Sequence, residues 1–256
     1  MEYETAIGAA VLSAAAGMAL VGWYGIIQRA GEKRKSQEEP EGSAQKHPPS
    51  PRVVLDCIKR RASVFPRSYV ERDVPAEVLQ RLLEAAMWAP YHGPKPPWRF
   101  VVLGKRAMVE MQELTLEYND ANWRAQGKHA TEAEYLKSRA KMEAEITGRW
   151  GPVSYMVGIT VQRQAGSKLM PMWEEECATA CAVQNMHLQA TAEPGLACYW
   201  SSWHSAARDS REMSDYLRMK EGDRCLGFFI VTACDPDMRI RRSRRTEDHL
   251  KVEWRD

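Results

Sequence analysis

The sequence predicts an α+β domain built of helices layered on a sheet. Helix-period and strand-period segments alternate along the chain, but two helices precede the first strand and no unit repeats. Neither GxGxxG nor GxxxxGK(S/T) follows any apolar strand, which argues against a doubly wound dinucleotide fold and against a P-loop enzyme. The 256 residues suit one domain of about 200 residues with appendages.

The chain opens on an uncharged apolar run, Ala6 to Ile27. At about 1.5 Å per residue this run spans about 33 Å as a helix, the thickness of a bilayer's hydrocarbon core. Trp23 and Tyr24 sit near one end, where aromatic rings favour the interface, and small residues such as Ala10, Ala14 and Gly17 suit helix packing in lipid. Glu2 and Glu4 precede the run, while Arg29, Lys33, Arg34 and Lys35 follow it. A cleaved signal peptide wants the reverse order of charge. The expectation is a single retained transmembrane anchor over residues 1–29, with the remainder on the positive-inside face, in cytosol, mitochondrial matrix or plastid stroma. Residues 30–51 are charged, Ser- and Pro-containing and nearly devoid of apolar side chains, and read as a linker.

The globular part is expected over residues 52–256. Ser50-Pro51 reads as an N-cap with proline at the first helical position, starting a helix to about Arg61 with Val54, Leu55 and Ile58 inward. Asp73-Val-Pro75 opens a second helix to about Trp88, its apolar face Val78, Leu79, Leu82, Leu83 and Ala86. A stiff loop follows, Ala89-Pro-Tyr-His-Gly-Pro-Lys-Pro-Pro97, then a strand from Trp98 to Leu103. Helices are expected over Lys105 to Tyr118 and Thr131 to Thr147, and a buried strand over Val153 to Val161. A long apolar helix should run from Trp173 to Ala192 and end near Pro194-Gly195. Leu196 to Ser202 reads as a short strand, Arg208 to Met219 as a helix, Leu226 to Ala233 as an apolar strand and Leu250 to Trp254 as a last strand.

The net charge of +2 does not call for nucleic acid. The cluster Arg239 to Arg245, without interleaved aromatics, reads as a surface patch or a phosphate contact. The six cysteines are scattered through apolar segments and are expected to be buried, reduced thiols in a reducing compartment. Cys177 and Cys181 share a helix face, but no CxxC or HxxxH pair supplies further metal ligands, so no metal is expected.

Ile58-Lys-Arg60-Arg61-Ala62-Ser63 places two guanidiniums at a helix end, where they either satisfy the helix dipole or grip a phosphate or the polar edge of a ring. This motif, the Ala89-Pro90-Tyr91-His92 loop with Pro97-Trp98-Arg99-Phe100, the segment Trp173 to Trp200 with Gln184-Asn185 and Gly195-Leu196, and the late strand Asp223 to Val231 occur in order. Together, from about Pro51 to Trp254, they resemble the nitroreductase family of FMN-dependent, NAD(P)H-using oxidoreductases, in particular a small branch with a histidine in the Ala-Pro loop.

The resemblance implies a mixed sheet flanked by helices and an intertwined homodimer with two FMN sites at the subunit interface. Carried over by position, Arg60, Arg61 and Ser63 would meet the phosphate and polar ring edge, and His92 would come from the opposite chain. Trp88, Trp200, Ser201 and Ser202 would lie along the flavin, whereas Trp98 and Trp203 read as core. One of Arg241, Arg242, Arg244 and Arg245 would add a phosphate contact, and Lys251 to Trp254 would reach across to the partner. Three positions depart from the family pattern: Ala62 replaces a serine, Pro96 a glutamine and Ser201 an arginine. Each lost polar contact costs about 1 kcal/mol or more. The implied activity passes electrons from NAD(P)H through FMN to a small acceptor such as a nitroaromatic, quinone or enone. The alternative is a non-catalytic accessory subunit of an organellar membrane complex that keeps the fold.

Overall fold

The computed structural model describes residues 50–164, 169–238 and 249–255. The expected anchor, most of the linker and the arginines at 239–245 lie outside them. Among the described residues no helix is long and apolar enough to cross a membrane.

Five strands form one sheet: β1 (Tyr69–Val70), β2 (Trp98–Leu103), β3 (Tyr155–Val161), β4 (Leu196–Ser201) and β5 (Arg224–Cys234). The order is β1-β5-β3-β2, with β4 on the other side of β5. The sheet is antiparallel throughout, not mixed. The reason lies in the connections. Leu103, at the end of β2, pairs with Met156 near the start of β3, so the long helical excursion between them leaves and re-enters at the same end of the sheet. β5 carries the centre because its side chains alternate between two cores. Phe229 and Val231 face one helix layer, while Phe228 and Ile230 face the other.

The first layer is α2 (Ala76–Ala86) and α5 (Met172–Gln189). Leu79, Leu82 and Ala86 of α2 pack with Ala182, Val183 and Met186 of α5 over Val157 and Ile159. The 3₁₀ turn Ala190–Ala192 closes α5. The second layer is α3 (Lys105–Gln126), α4 (Glu132–Gly148), α6 (Ser205–Arg208) and α7 (Arg211–Tyr216). Here Met108, Met111, Met213 and Leu217 cover Met156 and Ile230.

Several elements depart from expectation for identifiable reasons. The polar tract after Tyr118 does not stop α3, because Asn119 and Asn122 donate to carbonyls one turn back, Thr115 and Tyr118. Asp120 also accepts from Tyr135 and Arg139 of α4, so the two helices brace each other. α3 ends instead at Gly127, at φ 63°. The helix expected over 208–219 is broken at Asp209-Ser210, where the Ser210 hydroxyl caps α7 by accepting from Met213 N–H. Residues 251–255 form no strand, and Trp254 is 89% exposed.

The helix α1 (Pro51–Arg60) forms where proline sets its first turn, but its apolar side chains are not inward. Val53 is 63% exposed, and Val54, Leu55 and Ile58 are also exposed, because no element among the described residues covers this face. The cysteines divide: Cys198, Cys225 and Cys234 are buried, but Cys177 and Cys181 are exposed. Position four apart on the outward face of α5 overrides the apolar context that suggested burial.

Candidate functional site

The arginine pair sits where α1 ends against the sheet. Val64 N–H donates to the Cys198 carbonyl of β4 at 3.1 Å. His187, buried near the end of α5, places Nε2 3.1 Å from the Ala62 carbonyl and 3.2 Å from the Cys198 carbonyl. Both partners can only accept, so Nε2 carries the hydrogen. The imidazole thus ties the turn after the arginines to β4. Burial, and then the Arg61 guanidinium, hold its pKa below the ordinary histidine value. Arg60 lines a crevice here, and Arg61 lies close enough to His187 to act on its charge.

That crevice, about 200 Å³, is lined by Arg60, Ala62, His187, Gly195, Leu196 and Pro236 among others. Gly195 is at φ 68°, and a Cβ there would lie 2.5 Å from Arg72 Nη2, which donates to the Gly195 and Cys234 carbonyls. Glu193 also faces the crevice, but its carboxylate is taken bidentately by Arg81 at 2.7 Å, which holds its pKa below the usual range. Asp235 stands in the same wall as Arg60. A guanidinium beside an apolar wall of Val64, Leu196 and Met238 suits a phosphorylated ligand with a flat ring, FMN included. At about 200 Å³ the crevice is smaller than the roughly 300–1,000 Å³ of a usual small-molecule pocket. Ala62 brings a methyl where the family pattern has a hydroxyl, and Ser63 follows it half-buried.

A second concavity, about 420 Å³, opens under the Ala-Pro loop. The loop is pinned at several points. The Tyr91 ring meets Trp98 edge-on at 5.4 Å. Gln162 N–H donates to the Pro97 carbonyl at 2.6 Å, and Gln164 Nε2 donates to the Lys95 carbonyl at 2.5 Å. Gln164 is itself held, since its N–H donates to buried Glu175, which also accepts from Arg163. Within this groove His92 Nδ1 lies 3.1 Å from Glu174 Oε2 in the first turn of α5. Cys177, Cys181, Trp173 and Met170 complete the wall.

The remaining expected residues lie elsewhere. Trp88 is 81% exposed on a third groove, with Cys57 and Asn185. Trp200, Ser201 and Ser202 stand at the far end of β4, about 16 Å from Leu196 at the usual rise per strand residue. Trp200 Nε1–H donates to the Leu226 carbonyl at 2.8 Å, the Ser201 hydroxyl accepts from Trp203 N–H, and the Ser202 carbonyl accepts from Arg208. Gly227, at φ 113°, lets the Ser201 carbonyl approach so closely that a Cβ would lie 2.2 Å from it. Trp203 is half-buried against the second core, donating to Thr115 and tilted on Trp150. Among the described residues Arg60 lines the crevice, Arg61 and Ser63 follow it in the chain, and His92, Trp88 and the Trp200 group lie on other surfaces. Sequence reasoning missed Glu174 and His187. Glu174 is one of three successive glutamates and His187 one polar residue in a mostly apolar stretch, and their partners are 82 and 125 residues away in the chain.

Burial raises the thiols of Cys198, Cys225 and Cys234, that of Cys225 to about 11, so none of the three is a ready thiolate. Among the described residues no group of three or more His, Cys, Asp and Glu side chains is arranged to hold a metal ion.

The profile of the nitroreductase family matches residues 58–232. A candidate NADH dehydrogenase/NAD(P)H nitroreductase of Methanothermobacter thermautotrophicus is 42% identical over 57 residues, 22% of this chain and 29% of that protein. A candidate NAD(P)H nitroreductase of Haemophilus influenzae is 28% identical over 127 residues, 50% of this chain and 61% of that protein. The matched stretches thus span less than two thirds of either relative. Among solved structures, an FMN-bound nitroreductase of Bacteroides fragilis superimposes with a TM-score of 0.58 at 20% identity, covering 78% of this chain and 98% of the other. At that identity the likeness speaks for the fold alone.

Proposed function

The chain belongs to the nitroreductase family, and from that premise we propose that it is an FMN-dependent oxidoreductase that takes electrons from NAD(P)H and reduces a small acceptor such as a nitroaromatic, quinone or enone. The observation that carries this reading is the crevice at residues 60–64, where the Arg60 guanidinium meets an apolar wall. FMN, when bound, supplies the two-electron chemistry. Arg60 and Arg61 would hold its phosphate, and the turn carrying them is fixed by the bonds of His187 and Val64 to β4.

A second copy of the chain would complete the site. The crevice alone is small, and among the described residues the apolar face of α1 is uncovered and residues 250–254 extend without a strand partner. A homodimer would cover all three and bring His92 from the opposite copy. The apolar run Ala6 to Ile27 would tether this domain to a membrane by its N-terminus, with residues 30–51 as spacer.

The absence of a side-chain hydroxyl at Ala62 motivates a second reading, a flavin-free accessory subunit that keeps the fold. Purified full-length protein in detergent separates the two. The enzyme reading expects a yellow flavin spectrum that bleaches on adding NAD(P)H and recovers with a quinone. A colourless preparation that takes up no added FMN overturns it.

A further inference from the structure

We propose that Glu174 is a positioning residue for His92, and that the pair delivers the proton a flat aromatic acceptor needs at the proposed flavin site. The inference rests on the oxidoreductase reading and names how its acceptor is protonated. Glu174 Oε2 stands 3.1 Å from His92 Nδ1. An ionised carboxylate only accepts, so the ring hydrogen is on Nδ1 and Nε2 is the atom left to meet a ligand. The pair does little for stability, because the imidazole side chain is 79% exposed in the single chain. Nor is it needed to hold the loop, which is already tied through Pro97, Lys95 and Tyr91. What it does is set the tautomer and the direction of the ring.

The surroundings suit an aromatic guest. His92 shares its groove with Tyr91, Trp173, Met170 and Ala178, an apolar wall with few other polar groups. A quinone accepting a hydride equivalent from NAD(P)H by way of the flavin gains two electrons and one proton, and one carbonyl oxygen is left as an anion. The protonated His92 imidazole gives its Nε2 proton to that oxygen, forming the hydroquinone. It becomes neutral with Nδ1–H still on Glu174, and water restores its charge. The nitrogen-bound hydrogen facing Glu174 is never the one transferred, which is why a fixed orientation matters.

The test combines nitrogen-15 imidazole spectra with steady-state kinetics on the wild type, Glu174→Ala and Glu174→Gln. In the wild type, neutral His92 should show the Nδ1–H form, although an unconstrained histidine prefers Nε2–H. Glu174→Ala should revert to Nε2–H and lower kcat for quinone about tenfold or more with KM little changed. Glu174→Gln, whose amide oxygen also accepts from Nδ1–H, should keep the tautomer and most of kcat. An Nε2–H wild type, a tautomer unmoved in Glu174→Ala, or equal kcat in all three overturns the proposal. The spectra need no flavin. Protein that binds no FMN therefore fails the oxidoreductase reading, while the tautomer measured on that same protein decides the pairing by itself.

Discussion

His187 shows how a single buried side chain bears on both the site and the stability of the fold. It spans the turn after the arginine pair and the start of β4, and both of its acceptors are backbone carbonyls. Burial, and then Arg61, lower its pKa; burial also lowers that of His204, against the pull of Glu145. The unfolded chain binds these protons near pH 6.5, whereas the folded chain resists them. Stability should therefore be fully present above about pH 6.5 and decline as pH falls below it. Denaturant melts at pH 7.5, 6.5 and 5.5 check this. His187→Gln, which can still donate to the two carbonyls but does not titrate, should weaken that slope, and an unchanged slope contradicts the assignment. At this scale the sequence was partly legible. The arginine pair announces itself as two adjacent cations at a helix end. His187 and Glu174 do not, because their roles come from partners brought near only by the fold.

Among the elements, the contrast between α1 and α2 is the most telling. Both have apolar residues at helical spacing. Leu82 of α2 is wholly buried beneath α5, while Leu55 of α1 is exposed. Leu82→Ala should cost about 2–5 kcal/mol in a denaturant melt, as removal of a buried leucine usually does. Leu55→Ser should leave the midpoint of a separated monomer nearly unchanged, but should weaken self-association measured by light scattering. A variant that stays dimeric at low micromolar concentration would show that α1 is not part of the interface. Periodicity made α2 and β2 readable almost to the residue. It says that a face is apolar, but not which chain covers it, and so it misplaced Val54, Leu55 and Ile58. The extension of α3 was hidden for a different reason: Asn119, Asn122 and Asp120 look like stop signals until their bonds within α3 and across to α4 are seen.

At the scale of the whole molecule, an antiparallel sheet between two helix layers sets the arginine crevice at one end of β4 and the Trp200 group at the other. The loop bearing His92 lies over α5, in a separate groove. The layered α+β class was legible because order of elements and absence of a phosphate loop both constrain it. Strand direction was not, since it depends on which end of the sheet a long excursion re-enters. The separation of the expected site residues follows from the same geometry, and the proposed homodimer would bring them together. Its central claim is that Arg60 and Arg61 grip a flavin phosphate there. The most direct test is FMN titration, followed by flavin fluorescence, of the flavin-stripped wild type and the Arg60→Ala/Arg61→Ala double variant. At about 1.5–3 kcal/mol for each charged hydrogen bond, the wild type should bind about one FMN per chain and the variant at least a hundredfold more weakly. Equal affinity in the two proteins, or no binding by the wild type, would contradict the account.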